Sequence, residues 1–216
     1  MIDLFRHAGT AVLDVLYPPV CLICDAYAEP LCGSCLDQIR PVPRGEELPP
    51  GLADVLSVGY HEEALRTAVL KLKFQRDAAV AKPLGRLLAD LIQPYQADWR
   101  ADGLVPVPIH WTRRWERGFN QSELLAYSAG GPLSIPVRPD LVRLRRTPPQ
   151  LGLEASARHR NLRDAFVLRP QAMVEDRRLI LVDDVRTTGS TLSECAAVLL
   201  SAGAQAVYGL TVTFDM

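Results

Sequence analysis

No stretch of this 216-residue chain approaches the roughly 18 consecutive apolar residues that a membrane helix needs, which excludes a helical span. The first residues also lack the unbroken apolar core of a secretory leader, because Asp3, Arg6, His7 and Asp14 interrupt it. Met1 to Leu16 reads instead as a short amphipathic helix through Leu4, Phe5, Ala8, Val12 and Leu16, and the expected location is the cytoplasm. Internal repeats and low-complexity tracts are absent, so a repeat architecture is excluded. Net charge is nearly absent as well, at −1, but it is unevenly spread. Leu104 to Arg169 holds 11 Arg against 5 Asp/Glu, a net of +6, and the remainder carries −7. The middle segment therefore faces an anion or pairs with acidic surface elsewhere.

What is present is ordinary for a globular protein: 48% hydrophobic and 23% charged residues. The length supports one domain plus a small appendage. The expected division is an N-terminal helix and knuckle over 1–40, a linker over 41–51 with four prolines, and a main domain over 52–216.

Cys21, Cys24, Cys32 and Cys35 form two Cys-x2-Cys pairs, seven residues apart. Each pair presents two thiolates from one tight turn, and two turns close a tetrahedron around zinc. With all four positions sulfur, such a site has no place for catalytic water and is structural, folding a segment too short to build its own core. Two disulfides satisfy the same count but require an oxidising compartment. No Lys or Arg lies between Cys21 and Cys35, which argues against a nucleic-acid reader. The fifth cysteine, Cys195, reads as a packing residue.

Along the main domain, 62–74 and 79–93 have helical spacing, with Lys71, Lys73 and Arg76 read as a solvated helix end. Gly103 to Ile109 should end a strand and open a loop, since Pro106 and Pro108 exclude a central strand beyond Val105. Phe119 to Ala129 reads as helix, Arg138 to Arg146 as an arginine-rich strand, and Ala206 to Thr213 as a terminal strand. Strands alternating with helices predict an α/β fold with a parallel sheet flanked by helices.

The most informative stretch runs from Arg178 to Thr191. Leu179 to Val182 is a short apolar run of the kind buried on both faces of a parallel sheet. Asp183 and Asp184 follow where that strand should end, and then comes Thr187-Thr188-Gly189-Ser190-Thr191. Leu192 to Ala202 is helical in character, Gly203 is a stop, and Thr191 and Glu194 stand at capping-box spacing. Free amides at a helix N-terminus favour phosphate, Gly189 allows close approach, and the hydroxyls add donors. The carboxylates suit the cis-diol of a sugar, directly or through magnesium. Upstream, Arg113, Arg114 and Arg117 supply planar donors suited to diphosphate, after a strand end where α/β sheets bind ligands.

The strand, acidic pair and Thr-Thr-Gly-Ser-Thr turn resemble the phosphoribosyl-pyrophosphate (PRPP) motif of type I phosphoribosyltransferases. With the four-cysteine knuckle and Pro-Val-Pro…Arg-Gly-Phe-Asn-Gln, the pattern resembles the ComF-type branch of that superfamily over about residues 15 to 214. The resemblance implies a type I phosphoribosyltransferase-like fold in which Asp183 and Asp184 hold ribose hydroxyls and Thr187 to Thr191 wrap the 5′-phosphate. It also implies that the loop from Pro106 into Arg117 binds pyrophosphate, with Asp183, Asp184 and Arg117 as the catalytic set. Gln150, Arg158 and Asn161 would belong to a mobile loop near the substrate. Arg186 stands where many relatives have a smaller residue, and Phe74-Gln75-Arg76 departs from the usual Gly after Lys-Phe.

Family members are linked to DNA uptake in natural transformation and to use of external DNA, so single-stranded DNA and competence-machinery proteins are implied partners. Two functions remain open: Mg²⁺-dependent phosphoribosyl transfer to an undefined acceptor, or a non-catalytic competence factor that senses PRPP or binds single-stranded DNA. For the first, His110 and His159 are candidate bases. For the second, Trp111, Trp115 and Phe119 among the arginines could stack bases, although packing roles are the commoner fate of such aromatics.

Overall fold

A computed structural model describes residues 20–27, 29–74, 78–144 and 165–216. The expected Met1–Leu16 helix, Arg76 and the Gln150, Arg158, His159 and Asn161 assignments lie outside the described residues.

The centre is a four-stranded, all-parallel sheet in the order β1 (Asp54–Tyr60), β6 (Ala206–Phe214), β5 (Arg178–Arg186) and β2 (Gly103–Pro106). Alternate residues of each strand feed two separate cores. Leu56, Ile180, Val182, Leu210 and Val212 face α2 (Glu63–Phe74), α3 (Ala81–Ile92) and α6 (Gln121–Leu133). Val55, Leu179, Leu181 and Val207 pack with Leu192, Cys195, Ala196 and Leu199 of α7 (Ser190–Ser201) on the other side. A β-strand alternates its side chains by two, so burial on both faces explains why 179–182 is continuously apolar. Gly85 of α3 lies against Ser128 of α6, where a Cβ would stand 2.9 Å from the Ser128 carbonyl carbon, so a larger residue would push these helices apart.

β6 is the last strand in sequence but an inner strand in space, and its polar residues are buried accordingly. Thr211 Oγ1 lies 2.7 Å from Ser57 Oγ, and Thr213 Oγ1 lies 2.9 Å from His61 Nδ1. The pairing of hydroxyl with hydroxyl or ring nitrogen removes the cost of burying them. The arginine-rich segment forms only a short strand, β3 (Leu141–Arg143), antiparallel to β4 (Phe166–Leu168) in a separate two-stranded sheet.

Two boundaries differ from the sequence reading, and both matter for the site. β5 does not stop at Val182 but carries Asp183, Asp184, Val185 and Arg186 within the strand. Its ladder to β6 continues through Asp183–Thr211, Val185–Thr213 and Arg186–Phe214, whereas its ladder to β2 ends at Pro106–Val182. The helix α7 starts at Ser190 rather than after Thr191, because Gly189 takes a left-handed φ of 71° and turns the chain earlier.

The N-terminal cysteine segment, with α1 (Gly33–Leu36), packs onto α2: Cys21 and Cys35 are buried against Ala64. Asp25 reaches Lys71 of the same helix at 3.3 Å. The proline-rich segment 41–51 runs beside the sheet. Arg44 pairs with Asp54 at 2.8 Å, Glu46 accepts from the Tyr60 hydroxyl at 3.0 Å, and the Glu47 carbonyl accepts from Arg186 at 2.9 Å. Arg186, whose role the sequence left open, is 3% exposed and lies 3.7 Å over the Phe214 ring, joining the sheet to this segment.

Candidate functional site

Helix α6 follows β2 onto one face of the sheet, and α7 follows β5 onto the opposite face. Adjacent strands whose connections part in this way open a crevice at their C-terminal ends, the usual ligand position in open α/β sheets. Asp183, Asp184 and the 187–191 turn stand at that edge.

The turn combines a left-handed glycine with paired hydroxyls, and the Ser190 amide donates to Thr188 Oγ1 at 3.5 Å. Gly189 is the N-cap of α7 and has no side chain with which to cap it, so the sequence-expected capping box is not formed. The Thr188 and Ser190 hydroxyls lie 2.7 Å apart, and Ser190 is buried. Asp183 and residues 185 to 192 line a narrow pocket here. A Cβ at Gly189 would also come within 2.7 Å of Pro49 Cβ. Gly189→Ala therefore meets both a disfavoured φ and a steric clash, and should lower the melting temperature by about 3–9 °C, from a cost of roughly 1–3 kcal/mol. Differential scanning calorimetry checks it.

The acidic pair is asymmetric. Asp183 Oδ1 accepts from Ser122 Oγ at 2.8 Å and from the Asp184 amide at 2.9 Å. Burial, then the neighbouring Asp184 charge, push its acid up to about 7, while those two bonds and Lys73 pull the other way. Asp184 is 8% exposed, and its Oδ1 lies 3.0 Å from Lys73 Nζ. Lys73 is thus a site residue rather than the solvated helix end that the sequence suggested. Asp183 and Asp184 offer hard carboxylate oxygens, the ligand type magnesium takes, and are the residues that would hold it, directly or through water.

The arginines divide. Arg114 pairs with Glu123 at 3.0 Å, within the helical corner formed by α5 (Trp111–Arg117) and α6. Arg117 stands 5.6 Å over the Phe74 ring, and its acidity is altered by burial first and then by the Asp184 charge, which works in the opposite direction. Arg113 acts electrostatically on both Arg117 and Arg143. Arg143, on β3 and beside the Phe166 ring at 5.3 Å, feels the Asp183 charge. Neither Arg143 nor Ser122 stood out in the sequence, since no local spacing ties them to residues forty or sixty positions away.

The Gly-Phe-Asn-Gln stretch shapes this corner. Gly118, at φ 87°, ends α5, and Asn120 caps α6 while its Nδ2 donates to the Val107 carbonyl at 3.0 Å. His110 caps α5 through Thr112 and is buried, a structural use of a ring considered as a base. The aromatics divide: Phe119 packs partly buried against the core, as expected of such residues, whereas Trp111 and Trp115 are 70% and 85% exposed.

The four thiols converge. Cys21 and Cys35 sulfurs are 3.8 Å apart, Cys24 and Cys32 sulfurs 3.7 Å, and all four lie within 4.8 Å of one another. A disulfide would bring sulfurs to about 2.05 Å, whereas four sulfurs at about 2.3 Å from a tetrahedral zinc stand about 3.8 Å apart. The cluster therefore fits a zinc ion. Burial resists ionisation of Cys21, yet amides of Cys32, Cys24 and Ile23 bring it down to about 6, giving a first thiolate for a metal. Burial pushes the Cys35 thiol up, as it does that of Cys195, which is buried in the α7 core as the sequence suggested. Among the described residues no helix is long and apolar enough to cross a membrane.

No protein-family model matches the chain. A solved structure of the allosteric regulatory enzyme of purine biosynthesis aligns with 61% of this chain and 26% of its own at a TM-score of 0.42 and 22% identity, a likeness too slight to argue from. Sequence relatives are clearer. Competence protein F of Haemophilus influenzae is 33% identical over 181 residues, covering 82% of this chain and 75% of that protein. The DNA utilization protein YhgH of Escherichia coli K12 is 35% identical over 195 residues, 88% of this chain and 80% of its own. Competence protein ComFC of Bacillus subtilis is 29% identical over 147 residues, 68% and 58% of the two chains. Relatives sharing a third of their residues over most of both lengths place this chain in the ComF family.

Proposed function

We propose that the chain binds PRPP with magnesium at the end of β5 and transfers its phosphoribosyl group to an acceptor, in the handling of external DNA. The observation that carries the reading is the start of α7 at Gly189, a residue with no side chain to cap it, set beside the Asp183–Asp184 pair at the sheet's C-terminal edge. Amides and hydroxyls of Thr187 to Thr191 hold the 5′-phosphate, as helix N-termini hold anions. Asp183 and Asp184 accept from the ribose hydroxyls and fix the sugar. Arg117 and Arg113 stand where negative charge grows on departing pyrophosphate, so their contribution is electrostatic and positional. Magnesium, when bound, supplies further positive charge to the pyrophosphate oxygens. The DNA context rests on the names of the relatives, competence protein F and DNA utilization protein. A pyrophosphate-release assay with PRPP, magnesium and a panel of nucleobases and nucleosides tests it. Release that depends on one acceptor supports transfer; no release with any acceptor argues for binding without turnover.

A second reading is favoured by the exposure of Trp111 and Trp115 on the arginine-bearing helix α5. These rings, with Arg113, form a stacking platform for single-stranded DNA in a non-catalytic competence factor. Titrating an oligonucleotide across salt concentrations decides it: phosphate contacts strengthen as salt falls, so no affinity at low salt removes this reading. Structural zinc at the four cysteines belongs to both readings, as does a cytoplasmic location.

A further inference from the structure

The last turn of α2 carries Lys73 into the candidate site, while its final residue Phe74 is exposed. Lys73 Nζ and Asp184 Oδ1 are 3.0 Å apart, with side chains only 21% and 12% exposed. Two residues earlier Lys71 is drawn to Asp25 of the cysteine knuckle, and one residue later Phe74 lies under Arg117. The helix end is therefore held from both sides, with its ammonium aimed at one carboxylate.

A monovalent cation in that place has a consequence for metal binding. A dication approaching Asp184 meets the ammonium charge already on the oxygen it needs, where partial burial weakens the screening of the repulsion by water. The ammonium cannot leave freely, because a lysine lifted from its partner in a partly buried site needs another anion. An incoming phosphate supplies one, so the two exchanges can occur together.

We propose that Lys73 is the resident counter-ion of the acidic pair. It holds Asp184 in the ligand-free protein, withholds that carboxylate from a free divalent metal, and passes its ammonium to a phosphate oxygen when metal and phosphorylated ligand arrive as one complex. The inference rests on the PRPP reading of the site and deepens it. Lys73 is then the residue that makes the site prefer a metal–phosphate complex over either component alone.

The test compares the zinc-loaded full chain with Lys73→Met and Lys73→Arg, using Mn²⁺ alone in one arm and PRPP with Mg²⁺ in the other. Bound Mn²⁺ is counted by electron paramagnetic resonance, and PRPP binding is read by calorimetry. Lys73→Met should bind Mn²⁺ at least about fivefold more tightly and PRPP·Mg²⁺ at least about fivefold more weakly, the lower end of coupling between linked binding events. Lys73→Arg, which keeps the charge, should stay close to wild type in both arms. Opposite signs in one variant cannot come from a general loosening of the fold, which would weaken both. Unchanged or weaker Mn²⁺ binding by Lys73→Met overturns the proposal. If the wild-type chain fails to bind PRPP·Mg²⁺, the phosphoribosyl reading falls. The Mn²⁺ arm still decides the counter-ion: tighter binding in the variant upholds it, and unchanged binding ends it.

Discussion

Asp183→Asn should make the protein more stable at neutral pH while weakening PRPP binding by about 10- to 100-fold, the scale of hydrogen bonds to a charged partner. The stability gain follows from the acid held at about 7, against 3.8 for an ordinary aspartate. Between those values the folded chain binds the proton and the unfolded chain does not, so wild-type stability falls as pH rises through this window. The loss is complete above about pH 7, and its total is on the order of 2–4 kcal/mol. Asparagine keeps the carbonyl that accepts from Ser122 and the Asp184 amide but has no charge to desolvate. In magnesium-free buffer at pH 7.5, its melting temperature should rise by about 5–10 °C, and the slope of wild-type stability between pH 5 and about 7 should flatten. Calorimetric melts across pH read both quantities. A melting temperature that drops instead would mean that Asp183 serves the fold and not a ligand.

The second large effect concerns the knuckle. Cys35→Ser should remove bound metal and lower the melting temperature by about 10 °C, the order expected when a structural metal is lost. Cys35 is 2% exposed and packs with Cys21 and Ala64, so its loss opens the contact between the knuckle and α2. The two cores of the sheet are separate clusters from this one, and far-ultraviolet circular dichroism should remain largely α/β. Because α2 carries both Lys71, bound to Asp25, and Lys73, bound to Asp184, PRPP affinity should fall alongside metal content. Metal analysis showing one zinc per wild-type chain and none in the variant is the accompanying check. Retained zinc in Cys35→Ser would contradict a four-sulfur site.

The legibility of the chain follows the range of the interactions involved. Strand, acidic pair, glycine turn and helix are contiguous over 178–201, so local pattern alone exposes them. The cysteine cluster is equally local, fourteen residues from first to last. Periodicity gave the helices over 63–74 and 81–92 and the parallel class of the sheet. It misjudged where β5 ends, because a polar pair can stay in a strand when one neighbouring strand continues and the other stops. It misplaced the start of α7, because a capping-box spacing competes with a left-handed glycine two residues earlier, and the glycine wins. Lys73, Ser122 and Arg143 reach the acidic pair only through tertiary folding, from 111, 61 and 40 residues away along the chain to Asp184, Asp183 and Asp183. The tryptophans of α5 were misjudged for the opposite reason: a short helix at a corner has no face that the core must cover.

The most direct measurement is isothermal calorimetry of PRPP with magnesium into folded, zinc-loaded protein, with Asp183→Asn as the control. Saturable heat at one ligand per chain, with affinity about 10- to 100-fold lower in the variant and also lower for ribose 5-phosphate, which lacks the pyrophosphate, is the predicted result. No heat from wild-type protein, or equal heat from wild type and variant, would contradict the assignment of this strand end as a phosphoribosyl site.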